Sequence, residues 1–96
     1  MDKETLQVIH NREASRFEMA IEDQQAVVNY RMADAETYNL YHAGVPAEFE
    51  GRGVGGRLVQ GALEQIKAEG KRFIPTCPFI ALYVHRHPEY EAFVAR

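Results

Sequence analysis

The segment Glu50-Gly51-Arg52-Gly53-Val54-Gly55-Gly56-Arg57 holds four glycines and two arginines, and an apolar stripe at helical spacing follows it without a break. Turns of this composition bind anions. Glycine lets the backbone come close to a ligand and take positive φ. The first N–H groups of a helix have no partner inside the helix, and the helix dipole adds partial positive charge there. Arg52 and Arg57 can add charge-assisted hydrogen bonds. A phosphate-bearing ligand is therefore expected against Gly53, Val54, Gly55 and Gly56. A mononucleotide P-loop would close on Gly-Lys-Ser/Thr, whereas here Gly56 leads into Arg57-Leu58. A dinucleotide fingerprint would sit in a parallel strand–helix–strand unit early in the chain. This turn instead follows four segments that read as antiparallel strands. The plainer alternative is a tight turn that needs glycine for its shape alone.

Three further side chains can do chemistry. Cys77 is the only cysteine, so it cannot form an internal disulfide. Such a thiol is either a small apolar filler or, with a neighbouring base, a nucleophile. His42 lies in a strand-like segment, where an imidazole can take a proton or pack against backbone. Tyr83 lies in a helical segment, with its ring expected in the core and its hydroxyl wet, or with that hydroxyl at work. His85 and His87 are two apart and do not share a helix face. With no spaced Cys/His quartet, no metal site is expected.

Elements must place these groups. Leu6, Val8 and His10 alternate with Gln7, Ile9 and Asn11, and Phe17, Met19 and Ile21 alternate with Glu18, Ala20 and Glu22. Ala26, Val28, Tyr30 and Met32 repeat the pattern. Polar breaks at Asn11–Ala14 and Glu22–Gln25 separate these runs, which predicts an antiparallel meander. Thr37 to Val45 reads as a fourth strand, with Tyr38, Leu40 and His42 on one face and Asn39, Tyr41 and Ala43 on the other. Pro46 stops it. Val54, Leu58, Val59, Ala62, Leu63 and Ile66 make one helical stripe, and Gly70 is placed for a left-handed cap. Lys71–Pro75 reads as a short fifth strand. Pro78 opens a helix through Tyr83, His87-Pro88 interrupts it, and Glu89–Val94 gives a last helical turn. The fold class expected is α+β: about five strands, mostly antiparallel, with two to three helices, in one domain spanning 1–96.

The run Val45 to Leu58, with Gly53-Val54-Gly55 as its paired small residues, resembles the acetyl-CoA signature of the GNAT superfamily of N-acetyltransferases. Glu50 stands where that signature usually has Gln or Arg. Ile80 to Arg86 resembles the later GNAT helix, with His87-Pro88 in place of the usual Gly-Phe. Pro75-Thr76-Cys77-Pro78-Phe79 and His87-Pro88-Glu89-Tyr90 resemble a compact subgroup of that superfamily, so the resemblance covers most of the chain. It implies acetyl-CoA as cofactor and an amine as acceptor. It implies that the fourth and fifth strands splay, at Tyr41–Val45 and Phe73–Thr76, and that the backbone of Ala43, Gly44 and Val45 bonds the pantetheine arm. It makes Tyr83 the general acid toward the departing thiolate and puts Cys77 near the acetyl group, where it is a filler or an acyl acceptor. His42 becomes a base for the amine or a packed histidine.

Charge and composition bound the rest. There are 11 Lys+Arg against 14 Asp+Glu, a net charge of −3, so nucleic acid is not an expected partner. No apolar run approaches the ~20 residues of a membrane helix. Met1-Asp2-Lys3-Glu4 opens with mixed charge and shows no signal peptide, and a lone cysteine suits a reducing compartment, so a cytoplasmic location is expected. Three functions stand: an N-acetyltransferase acting on a small-molecule or peptide amine, a non-catalytic acyl-CoA-binding module, and a partner-binding domain. The oligomeric state stays open.

Overall fold

A computed structural model describes residues 7–95. The first four strands are β1 (Val8–Asn11), β2 (Arg16–Ile21), β3 (Gln24–Asp34) and β4 (Thr37–Gly44). A 3-10 turn at Ala47–Phe49 leads into α1 (Val54–Ala68), then β5 (Arg72–Ile74), α2 (Pro78–Arg86) and a 3-10 segment, Pro88–Phe93. The sheet order is β1-β2-β3-β4-β5. The first four strands form an antiparallel meander, and β5 joins β4 in parallel after the crossover through α1. The fold is α+β, with a mixed and mostly antiparallel sheet.

Period-two alternation works as expected in β2, where Phe17, Met19 and Ile21 are buried, and in β3 through Ala26, Val28 and Tyr30. Leu6, expected to extend β1, lies outside the described residues. Met32 does not follow its neighbours inward. It is 41% exposed, because β3 runs past the core and its pairing with β4 shifts again between Met32 and Asp34. The expected helical stripe is buried in full, from Val54 to Ile66. Gly70 takes φ 73 and ends α1 as expected. The second break is shorter than expected, since β3 already begins at Gln24. The fifth strand is shorter too, since Lys71 and Pro75 fall outside it.

One approach between elements is set by a missing side chain. A Cβ on Gly61 would stand 2.7 Å from Cβ of Val8 and closer still to Cγ2. Helix α1 thus lies against β1 at the one point in its middle that has no side chain, and Gln65 Nε2 donates to the Val8 carbonyl at 2.5 Å beside it. A glycine inside a helix costs about 0.5–1 kcal/mol relative to alanine; here that cost permits a contact no other residue allows.

Candidate functional site

Strand β4 carries the first correction. Tyr30 pairs with Leu40 but Asn29 pairs with His42, so Tyr41 is an extra residue. Such a bulge breaks the alternation. Tyr41 and His42 are both exposed, and Ala43 turns back to Val28 and packs on the core. His42 therefore does not share a face with Leu40, and Ala43 does not lie opposite it. The His42 ring instead lies over Gly44, where a Cβ would come 3.3 Å from its Cε1.

The bulge lies where β4 loses its neighbour. The β4–β5 ladder ends at Asn39 and Ile74. Pro75 brings no donor, Thr76 Oγ1 donates to Asn39 Oδ1 at 2.6 Å, and the Cys77 N–H donates to the Leu40 carbonyl at 2.9 Å. There the chain turns away into α2. Beyond Leu40 one edge of β4, from Tyr41 to Gly44, has no strand beside it among the described residues. The separation thus begins later on the fifth strand than expected, because Phe73 and Ile74 are still paired.

The glycine turn faces this free edge. Gly53 is the N-cap of α1 with φ 81 and makes no side-chain cap bond. The Arg57 N–H already donates to the Gly53 carbonyl at 3.2 Å. The Arg57 amide is therefore not an orphan donor, whereas the amides of Gly53, Val54, Gly55 and Gly56 have no partner inside the helix. A groove of about 410 Å³ lies between Gly51, Gly53, Gly55 and Gly56 of this turn and Ala43 at the end of β4 with Val45 just beyond it, and Glu50 and Phe79 also line it. Its lining is mostly apolar or bare backbone, with a cluster of donors at one end, which suits a ligand that is anionic at one point and chain-like elsewhere.

Of the expected residues, Ala43, Val45, Gly53, Gly55 and Gly56 meet at this groove. Gly44 lies between two of them. The Val54 side chain is buried in the core, so only its amide can serve. Arg52 and Arg57 are exposed and do not line the groove; the Arg52 guanidinium lies 5.6 Å over the Phe49 ring. Cys77 is the N-cap of α2 and only 7% exposed, packed in the core cluster beneath. Tyr83 is half-buried. It lines a second cavity of about 260 Å³ that shares Gly56 and Phe79 with the groove. Burial raises the Tyr83 phenol, and Glu89 and Glu64 raise it further, so at neutral pH the hydroxyl keeps its proton and can donate it.

Sequence reasoning passed over Phe79. Its ring is 45% exposed, forms a wall common to both cavities, and fills the space a Gly55 side chain would need, 2.8 Å from that Cβ to Cζ. The available signal was Pro78: a proline at the first helical position puts the next side chain in the first turn, beside whatever that turn approaches.

The profile of the family described as GCN5-related N-acetyl-transferase matches residues 16–93. This chain belongs to that family. The expected GNAT resemblance is thereby confirmed at the level of family. Among similar proteins are Protein NATD1 of Xenopus tropicalis, 29% identical over 86 residues, covering 88% of this chain and 79% of that protein. Protein NATD1 of Homo sapiens is 28% identical over 85 residues, covering 86% and 75%. The NMR structure of a GCN5-like protein from Staphylococcus aureus superposes with a TM-score of 0.71 at 23% identity, over 94% of this chain and 88% of that one. That likeness shows the fold. Within this GCN5-related fold, the glycine turn, the free β4 edge and α2 enclose the two cavities described above. No helix among the described residues is long and apolar enough to cross a membrane.

Proposed function

We propose that this chain is an acetyl-CoA-dependent N-acetyltransferase that moves an acetyl group to the amine of a small molecule or peptide. The observation that carries the reading is the groove in which the glycine turn at the start of α1 meets the unpaired edge of β4. A coenzyme A diphosphate fits the donors, because the turn's unpartnered N–H groups and a helix dipole converge without a capping side chain in the way. A pantetheine arm, with its amides, fits the β4 edge in the manner of an added strand, with Ala43, Gly44 and Val45 as its partners. Bound there, acetyl-CoA would supply an acetyl group activated as a thioester.

The chain's own residues then have two tasks. One is orientation, done by the backbone donors and by the edge of β4. The other is the proton that must reach sulfur when the carbon–sulfur bond breaks. Tyr83 Oη carries it and regains one from solvent, while the amine nitrogen gives up its own as the amide forms. His42, exposed beside Gly44 at the top of β4, is the proposed acceptor of that amine proton. Cys77 Sγ is the alternative acceptor of the acetyl group: its thiolate would form a new thioester as coenzyme A departs as a thiol, and the amine would break that thioester in turn. Its burial means that the α2 N-terminus must open for this path to operate.

The test is stepwise. Coenzyme A and acetyl-CoA at about a hundred times Kd should each raise the unfolding free energy by about 2.7 kcal/mol, and thiol should then be released with members of an amine panel. Tyr83→Phe should keep the binding and lose about a hundredfold or more in kcat. An acetyl adduct on Cys77 in mass spectra, with Cys77→Ala inactive, assigns the two-step path; no adduct and normal Cys77→Ala turnover assigns direct transfer. No heat of binding with coenzyme A or desulfo-CoA overturns the reading, and binding without turnover on any amine replaces it with the acyl-CoA-binding module.

A further inference from the structure

A general acid is only as good as the aim of its hydroxyl, and Tyr83 is aimed by a residue four positions on. His87 is the residue that follows α2, with φ −130 and ψ 74, outside the helical range. The proline after it explains that conformation, since the ring of Pro88 disfavours helical backbone at the preceding residue. Released from the helix but still one turn beyond Tyr83, the imidazole folds back. Its ring stacks on the Tyr83 ring at 4.0 Å between centroids and 18° between planes. Its Nδ1 is 2.9 Å from the Tyr83 carbonyl oxygen. A carbonyl oxygen only accepts, so Nδ1 is the atom that carries the hydrogen. One side chain is thus tied to the backbone and laid flat on the ring of the same residue.

The clamp is braced from the other helix. The Tyr90 ring tilts against the Tyr83 ring at 6.1 Å, and the Tyr90 hydroxyl donates to Glu64 Oε2 on α1 at 2.6 Å. The segment His87-Pro88-Glu89-Tyr90 therefore contacts Tyr83 at two points and fixes itself to the helix whose N-terminus bears the orphan amides. Both Tyr83 and His87 line the second cavity. A half-buried tyrosine beside such a cavity would otherwise be free to change rotamer.

The geometry points to His87 as a positioning residue that holds the Tyr83 ring by stacking, so that its hydroxyl is presented to the departing sulfur. The inference rests on the acetyltransferase reading and goes beyond it in giving the His-Pro break a task. It predicts that the ring matters more than the hydrogen bond. His87→Phe keeps a ring for stacking and loses the Nδ1 donor; His87→Asn keeps a donor for the Tyr83 carbonyl and loses the ring; His87→Ala loses both.

The experiment measures acetyl-CoA binding by calorimetry, kcat and KM with an accepted amine, and the near-ultraviolet tyrosine difference spectrum on adding coenzyme A, with Tyr83→Phe as the blank that isolates Tyr83. Expected are Kd and KM for acetyl-CoA within about twofold of wild type in all three variants. The value of kcat should fall about ten- to a hundredfold in His87→Ala and His87→Asn, a fraction of what a whole general acid contributes, with recovery to within about threefold in His87→Phe. The Tyr83 spectral signature should follow the same order, and it decides the matter even if no amine turns over. Unchanged kcat and signature in His87→Ala overturns the inference, and so does rescue by Asn rather than Phe. Failure of wild type itself to bind coenzyme A is a different result, visible before any variant is made, and it overturns the function along with the clamp.

Discussion

Glu50 is the residue at which this chain departs most plainly from what a diphosphate site asks for. It lines the groove, where its carboxylate would oppose the proposed phosphate-bearing ligand. Unit charges a few ångströms apart in water interact by about 1 kcal/mol, and salt weakens this. Glu50→Gln is therefore expected to bind coenzyme A about two- to fivefold more tightly at low salt, with the gain shrinking as ionic strength rises. Calorimetry at two salt concentrations checks it; equal affinity at both would mean the carboxylate points away from the ligand. At this scale the sequence was informative about which backbone takes part. Gly53 and Gly55 carry a recognisable pattern because a positive φ and a close approach each admit glycine alone. It was less informative about side chains. Arg52 and Arg57 have the right charge, but their directions depend on turn geometry, and neither reaches the groove.

Between elements, the packing of α1 on β1 is the most exposed to damage. Gly61→Val would place a branched side chain where Val8 already stands. Overpacking of this kind costs about 1–3 kcal/mol, and among the described residues β1 is an edge strand whose one pairing partner is β2. The expected outcome is a lower denaturation midpoint with coenzyme A affinity nearly unchanged, since α1 meets β1 well beyond the orphan amides. A fall in affinity larger than the fall in stability would show that the helix itself had moved. The strands and helices were legible because their apolar spacing, period two or near 3.6, registers burial directly. The bulge at Tyr41 was not. An extra residue in β4 leaves no mark on that strand's own alternation, and it exists only through the pairing with Asn29 and Tyr30 on another strand.

Across the whole molecule, the end of α1 opposite the glycine turn gathers a half-buried polar network. Tyr38 donates to Glu69 at 2.6 Å, Arg12 donates to the same carboxylate at 3.0 Å, and His10 Nε2 bonds the Tyr30 hydroxyl at 2.6 Å. Burial lowers the His10 pKa below 6.5, Arg12 and Lys71 lower it further, and Glu69 only partly offsets this. Burial raises Glu69, but Tyr38, Arg12 and His10 together hold it below 4.5. In both cases the unfolded chain binds protons more readily than the folded one, so stability rises with pH. The molecule should lose stability as pH falls from 7 through 6.5 because of His10, and again below 4.5 because of Glu69. Denaturant midpoints at pH 7.5, 5.5 and 4 measure this, and His10→Gln should remove the first decline and keep the second. A flat profile between 7.5 and 5.5 would show that folding leaves the His10 pKa where the unfolded chain has it.

The amino-acid sequence by itself determined the order and type of the elements, the position of the glycine turn and the family. Each of these depends on residues near one another in the chain: an apolar period, glycines that permit one backbone path, a proline that ends another. Only the tertiary structure decided that His42 leaves the core face, that Phe79 walls the groove, and that His87 lies on Tyr83 braced through Tyr90 and Glu64. Those facts belong to register and packing, which arise from residues tens of positions apart meeting at distances that no local pattern encodes.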